Sequence, residues 1–144
     1  MKQTNLKRTL SAFLCMVLIA ALALTATGCS PVLDLSDGQG KENAIVLGEG
    51  ANQFYFTVID VDGNTQWYDI HTNHTIVGDA LLELKLIEGS TSAYGLYVTA
   101  VTGMPLDFDK DGKYWAFFIN GEYASSGVDS TGIVPGETYT FKAE

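Results

Sequence analysis

The chain has 144 residues, 17 acidic against 8 basic, with a net charge of −9 and two cysteines. All 17 acidic residues but only five lysines follow residue 28, so the portion beyond it carries −12 and no arginine. A field of that sign repels phosphate backbones and anionic lipid heads, which argues against nucleic acid as a partner and against membrane contact other than through an anchor.

The start is basic at Lys2, Lys7 and Arg8, and Leu10 to Ala26 is then apolar and uncharged, as the two regions of a secretory signal are. The run nears the roughly 18 residues that span a bilayer, so an uncleaved anchor is the competing reading. The small residues Ala26, Thr27 and Gly28 directly before Cys29 resemble a bacterial lipobox, with Ala26 where leucine is more usual. On this reading residues 1–28 are a lipoprotein signal peptide. Cys29 is the lipidated N-terminus, and the protein is held at the cell membrane, facing outside the cytoplasm. Cys15 then leaves with the signal and Cys29 is acylated, so the folded part has no thiol for a disulfide, a zinc site or a nucleophile. Removing 28 of 144 residues leaves 116, enough for one domain and too few for two.

Residues 29–50 are poor in aromatics and rich in Ser, Asp, Gly, Gln, Lys and Glu, and read as the lipidated cysteine followed by a flexible tether with a reach of about 25 Å. Residues 51–144 form the domain. Gln53 to Asp60 is aromatic and β-branched, and Asp62-Gly63 turns it into a partner strand over Thr65 to His71, a first hairpin. Thr75 to Ile87 fits a short helix through Ala80, Leu81, Leu82 and Leu84, with Asp79 as its cap; the same run also fits a strand. Tyr94 to Val101 is a strand broken by Gly103 and Pro105. Lys113 to Ile119 and Glu122 to Ser125 flank Asn120-Gly121, the pair that a type I′ hairpin requires. Pro135-Gly136 makes a last turn before a closing strand over Glu137 to Lys142. This order predicts an α+β domain, one short helix on a mostly antiparallel sheet.

Three constellations bear on chemistry. Asp107, Asp109, Asp111 and Gly112 spell the opening of a calcium loop, but its twelfth position is Phe118 instead of glutamate, so the three aspartates are weak metal candidates and a solvated acidic loop is the plainer reading. His71 and His74 have ligand spacing with no third ligand beside them, and Ser125, Ser126 and Ser130 have no positional claim on a base. Nothing reads as an active site. Aromatic density is what remains. In the Lys113 strand, Trp115, Phe117 and Ile119 share one face, and Tyr114, Ala116, Phe118 and Asn120 share the other. One apolar face enters the core; the other needs the helix, a partner or a flat ligand to cover it.

The run from Tyr94 (YGLYVTAVTGM), the Lys113 strand (KYWAFFINGEYASSGVDS) and the close at Pro135 (PGETYTFK) resemble the transcobalamin-like C-terminal domain family. The shared elements are G-x-x-V, Y-W, N-G-x-x-A-x-x-G-V and G-E-T in that order, over about residues 52 to 142. The resemblance implies a β-grasp-like fold, a sheet clasping one helix. It also implies that the domain closes over one side of cobalamin while a separate α/α barrel, not present in this sequence, supplies the other. The resemblance thus leaves three readings: weak corrinoid binding by this chain alone, binding with a partner protein that provides the second half of the site, or a module reused for another small ligand. The residues it offers to a ligand are Tyr114, Trp115, Asn120, Gly121, Tyr123, Gly127 and Val128. The reading that follows is a non-enzymatic, surface-anchored binding module, with cobalamin or another corrinoid first; the alternative is an adhesion-type domain recognising a protein or polymer.

Overall fold

A computed structural model describes residues 39–144. The chain divides into two units, Met1–Pro31 and Val32–Glu144, and every described residue lies in the second. The segment expected to be a signal peptide, and Cys29, lie outside the described residues, among which no helix is long and apolar enough to cross a membrane.

The elements in chain order are α1 (Gln39–Glu42), β1 (Ile45–Gly48), β2 (Asn52–Ile59), β3 (Thr65–Thr72), α2 (Val77–Glu83), β4 (Ile87–Ser92), β5 (Gly95–Val101), β6 (Met104–Pro105), α3 (Phe108–Asp111), β7 (Trp115–Ile119), β8 (Glu122–Tyr123), a 3₁₀ turn (Val128–Ser130) and β9 (Thr138–Ala143). The fold is α+β with mostly antiparallel sheets, as the sequence order predicts. It has two sheets: six strands ordered β1-β3-β2-β9-β7-β8, and three ordered β4-β5-β6. The pairs β1·β3 and β2·β9 run parallel.

The first hairpin forms in the expected register, Phe56 opposite Tyr68 and Ile59 opposite Thr65. Asp60 sets its turn: one carboxylate oxygen accepts from the Asp62 and Asn64 backbone N–H groups, both at 2.9 Å, and the other from the Asn64 side-chain amide. That amide, with the backbone donors, holds the Asp60 carboxyl below its ordinary range. The Asn120-Gly121 turn also forms as expected, with φ of 50° and 85° and Ile119 opposite Glu122.

Four expectations change. Residues 39–48, expected to be tether, are folded, because Ile45 to Gly48 supplies an edge strand that pairs in register with Tyr68 to His71. The run from Thr75 is a helix, but Asp79 does not cap it. Ile76 stands at the N-cap with no side-chain bond, and the first helical N–H, of Val77, is met by the Thr131 carbonyl at 2.9 Å. Ile87 to Ser92 is a strand the sequence pattern hid, and its turn to β5 leaves Tyr94 fully exposed outside the strand. Lastly, α2 does not cover the second face of the Lys113 strand.

The core explains that last point. Val77, Ala80 and Leu81 of α2 pack with Phe54, Phe56, Val58, Ile70, Trp115, Tyr139 and Phe141 of the large sheet and with Ile87, Val98 and Val101 of the small one. Helix and small sheet therefore lie on the same face of the large sheet. Gly78 makes this fit possible: a Cβ there would stand 2.9 Å from the Val128 carbonyl oxygen, so the 3₁₀ turn can sit directly against the helix. The fully buried Tyr139 fixes the following loop, its hydroxyl accepting from Val134 N–H at 3.0 Å and lying 3.1 Å from the Gly132 carbonyl. Burial pushes its pKa up.

Candidate functional site

The small sheet and α3 enclose an open cleft of about 710 Å³. Its floor comes from β4 and β5, where Ser90 stands opposite Tyr97 and a bulge between Glu88 and Gly89 re-aims the strand. Its far wall is the segment Pro105 to Asp111, bound back by Leu106 N–H to the Thr99 carbonyl at 2.9 Å and by the pairing of Ala100 with Pro105. Tyr97 and Phe108, 49% and 58% exposed, line it together with Leu106. Glu88, Asp107, Asp109 and Asp111 set against Lys110 give the lining an acidic balance.

The D-x-D-x-D-G sequence builds this wall as a capped helical turn. Asp107 is the N-cap, accepting from Asp109 N–H at 3.0 Å; Asp111 accepts from Asp107 N–H at 2.9 Å; and Gly112 closes the turn in the left-handed region. Lys110 Nζ lies 3.0 Å from the other Asp107 oxygen. That contact holds the Asp107 carboxyl below its usual range and raises Lys110. Of the three weak calcium candidates, Asp107 and Asp111 turn their carboxylates to backbone N–H groups and, at Asp107, to a lysine. Among the described residues no three His, Cys, Asp or Glu side chains are grouped to hold a metal. His71 and His74 separate, the first 3.4 Å from Asp69 and the second 2.6 Å from Glu83.

The seven residues offered to a ligand divide among different environments. Tyr114 and Tyr123 come together, hydroxyl to hydroxyl at 3.4 Å, on the face of the large sheet turned away from the core. Tyr123 also donates to Glu144, and Phe108 packs edge-on against Tyr114 with ring centres 6.3 Å apart, so the pair adjoins the cleft. Trp115 is in the core, its Nε1 donating to the Met104 carbonyl at 3.1 Å, and Val128 is buried beneath α2. Both are corrected from ligand-facing to structural. Asn120 and Gly121 form the turn, where the Asn120 amide oxygen accepts from Thr138 N–H at 3.0 Å and its nitrogen reaches Glu137. Gly127 ends in the loop that the Ser130 and Thr131 hydroxyls tie to its carbonyl.

The sequence pattern pointed to neither Glu88 nor Tyr97 as site residues. The available signal was the polar, β-branched run after Ile87 closed by Ala93-Tyr94-Gly95, which marks a hairpin and would have placed both residues on one small sheet.

Residues 74–144 match a family described as a domain of unknown function, DUF4430. No curated protein matches the chain. The fold is similar to that of a Ruminococcus gnavus ATCC 29149 protein crystallised as a candidate metal-binding protein, at TM-score 0.62 and 23% identity, covering 65% of this chain and 97% of that one. It is also similar to part of haptocorrin, solved in complex with Cbi, at TM-score 0.55 and 17% identity, covering 68% of this chain. The chain spans about a quarter of haptocorrin, 26%.

Proposed function

We propose that residues 51–144 are a non-enzymatic, transcobalamin-like binding module for a small, flat ligand, a corrinoid first, in a lipoprotein tethered outside the cytoplasm through Cys29. The observation that carries the reading is the open cleft between the β4-β5-β6 sheet and α3, with Tyr97 and Phe108 exposed within it and Tyr114 and Tyr123 beside it. Tyrosine and phenylalanine offer rigid apolar area at low entropic cost, and a corrin ring has an apolar face to lie on them. Its peripheral side-chain amides are donors, and Glu88, Asp109 and Asp111 are acceptors at the rim. The likeness to haptocorrin supports the choice of corrinoid as the first ligand to test. An open cleft on one side of a flat ligand also suits a second protein closing over the other side.

The test is a titration of the purified chain with cyanocobalamin and with dicyanocobinamide, following the corrin absorption bands and tryptophan fluorescence. Binding is expected in the micromolar range, with loss in Tyr97→Ala and Phe108→Ala, two exposed positions whose replacement spares the core. A flat titration at high micromolar corrinoid removes that ligand for the isolated chain.

A further inference from the structure

Register fixes which side chains the floor of the cleft turns outward. Ile87 and Val101 face each other across β4 and β5, and both lie in the core. Side chains alternate along a strand, so the next pair, Glu88 and Ala100, points away from the core. Pro105 of β6 stands beside Ala100 in the same row, and beyond the bulge Ser90 and Tyr97 make the second row of that face. The small sheet thus offers a carboxylate, Glu88, and a ring, Tyr97, on one surface. Across the cleft, α3 offers the same combination in Asp109 and Phe108.

The charges on this lining are not equivalent. Lys110 Nζ is held 3.0 Å from Asp107, Asp107 also accepts from Asp109 N–H, and Asp111 accepts from Asp107 N–H. Those three side chains have partners. Glu88 and Asp109 differ: among the described residues neither carboxylate has a hydrogen bond or an ion pair. A ring face is the negative part of an aromatic side chain, so two exposed rings beside two unpaired carboxylates attract a cation from both walls. An anionic ligand meets the reverse. Its charge would lie against Glu88 and Asp109, and Lys110 would have to leave Asp107 to answer it.

We propose, on the reading of the cleft as a binding site but without requiring a corrinoid, that the cleft selects by charge. It takes a cationic ligand in preference to a neutral or anionic one of the same shape, and Glu88 and Asp109 are the residues that set this specificity. Among corrinoids the selection favours forms whose cobalt holds water in place of cyanide, which leaves the ring a positive charge, over the uncharged dicyano form.

Tryptamine, indole-3-acetamide and indole-3-acetate share one flat ring and carry a positive, a neutral and a negative side chain, so they separate charge from shape. Each is titrated into the isotope-labelled chain, with the backbone amide signals of Tyr97 and Phe108 as the readout. Tryptamine is expected to bind roughly tenfold tighter than indole-3-acetate at low salt, with the acetamide between them and the gap closing as salt is raised. In E88Q/D109N the three should converge at unchanged near-ultraviolet circular dichroism, and each single variant should remove part of the gap. Equal affinities in the wild type overturn the proposal. So does a preference that E88Q/D109N leaves in place, which assigns it to the net charge of the chain, or unmoved Tyr97 and Phe108 signals with all three compounds. If corrinoids fail to bind while the indole series still separates by charge, the corrinoid reading falls and the charge selection stands; corrinoid binding without that separation does the opposite.

Discussion

The indole Nε1 of Trp115 donates to the Met104 carbonyl at 3.1 Å, and this bond ties the large sheet to the short strand that begins the outer wall of the cleft. Trp115 is therefore a hinge post of the site without facing it. In Trp115→Phe the carbonyl loses its donor and the core keeps a smaller ring, which is expected to cost about 1–2 kcal/mol in urea unfolding. Hydrogen exchange should quicken at Leu106, whose N–H bonds the Thr99 carbonyl in the same wall.

Thr57→Val should raise stability by about 1 kcal/mol, because the methyl replaces a fully buried hydroxyl that has no partner. Thermal unfolding of the variant beside the wild type checks this. A melting temperature at or below the wild-type value would contradict this expectation.

At the Asn120-Gly121 turn, Gly121→Ala should cost about 1–2 kcal/mol, since residue 121 sits at φ 85°, where a Cβ meets the following carbonyl. Asn120→Ala should be at least as damaging, losing both a left-handed-tolerant residue and the acceptor for Thr138 N–H. Denaturant midpoints rank the two.

Asp107 titrates below the ordinary aspartate range because Lys110 and the Asp109 N–H favour its charged form. A depressed folded-state pKa adds stability above the unfolded pKa, and that contribution is lost as pH falls through the folded value. Side-chain carboxyl NMR should place the Asp107 midpoint low, and Lys110→Met should move it back upward.

Calcium added to chelator-treated protein should leave the melting temperature unchanged, since the Asp107 and Asp111 carboxylates already serve as acceptors for the α3 turn. A cation that bound only the folded state would raise it by mass action.

Hairpins were the legible part of this fold. Asp62-Gly63 and Asn120-Gly121 are local devices whose backbone angles follow from residue type, so their strands could be placed from spacing alone. Strand β1 was hidden because four residues pairing with a distant strand carry no local signature, and β4 because Leu84 to Ile87 continued the apolar count of the helix. Asp79 does not cap α2 because the loop at Thr131, far along the chain, supplies the acceptor. The candidate site was the least legible: Tyr114, Trp115, Tyr123 and Val128 are alike in composition, and only the packing separates exposed rings from buried ones. The second apolar face of the Lys113 strand is visible in the sequence as a face that α2 leaves open.

Strand β9 follows every other described strand in sequence yet lies inside the large sheet, between β2 and β7. Until residues 138–143 have emerged during synthesis, the β1-β3-β2 half and the β7-β8 half have no shared neighbour and cannot zip together. Sheet closure is thus a long-range event that waits on residues 138–143.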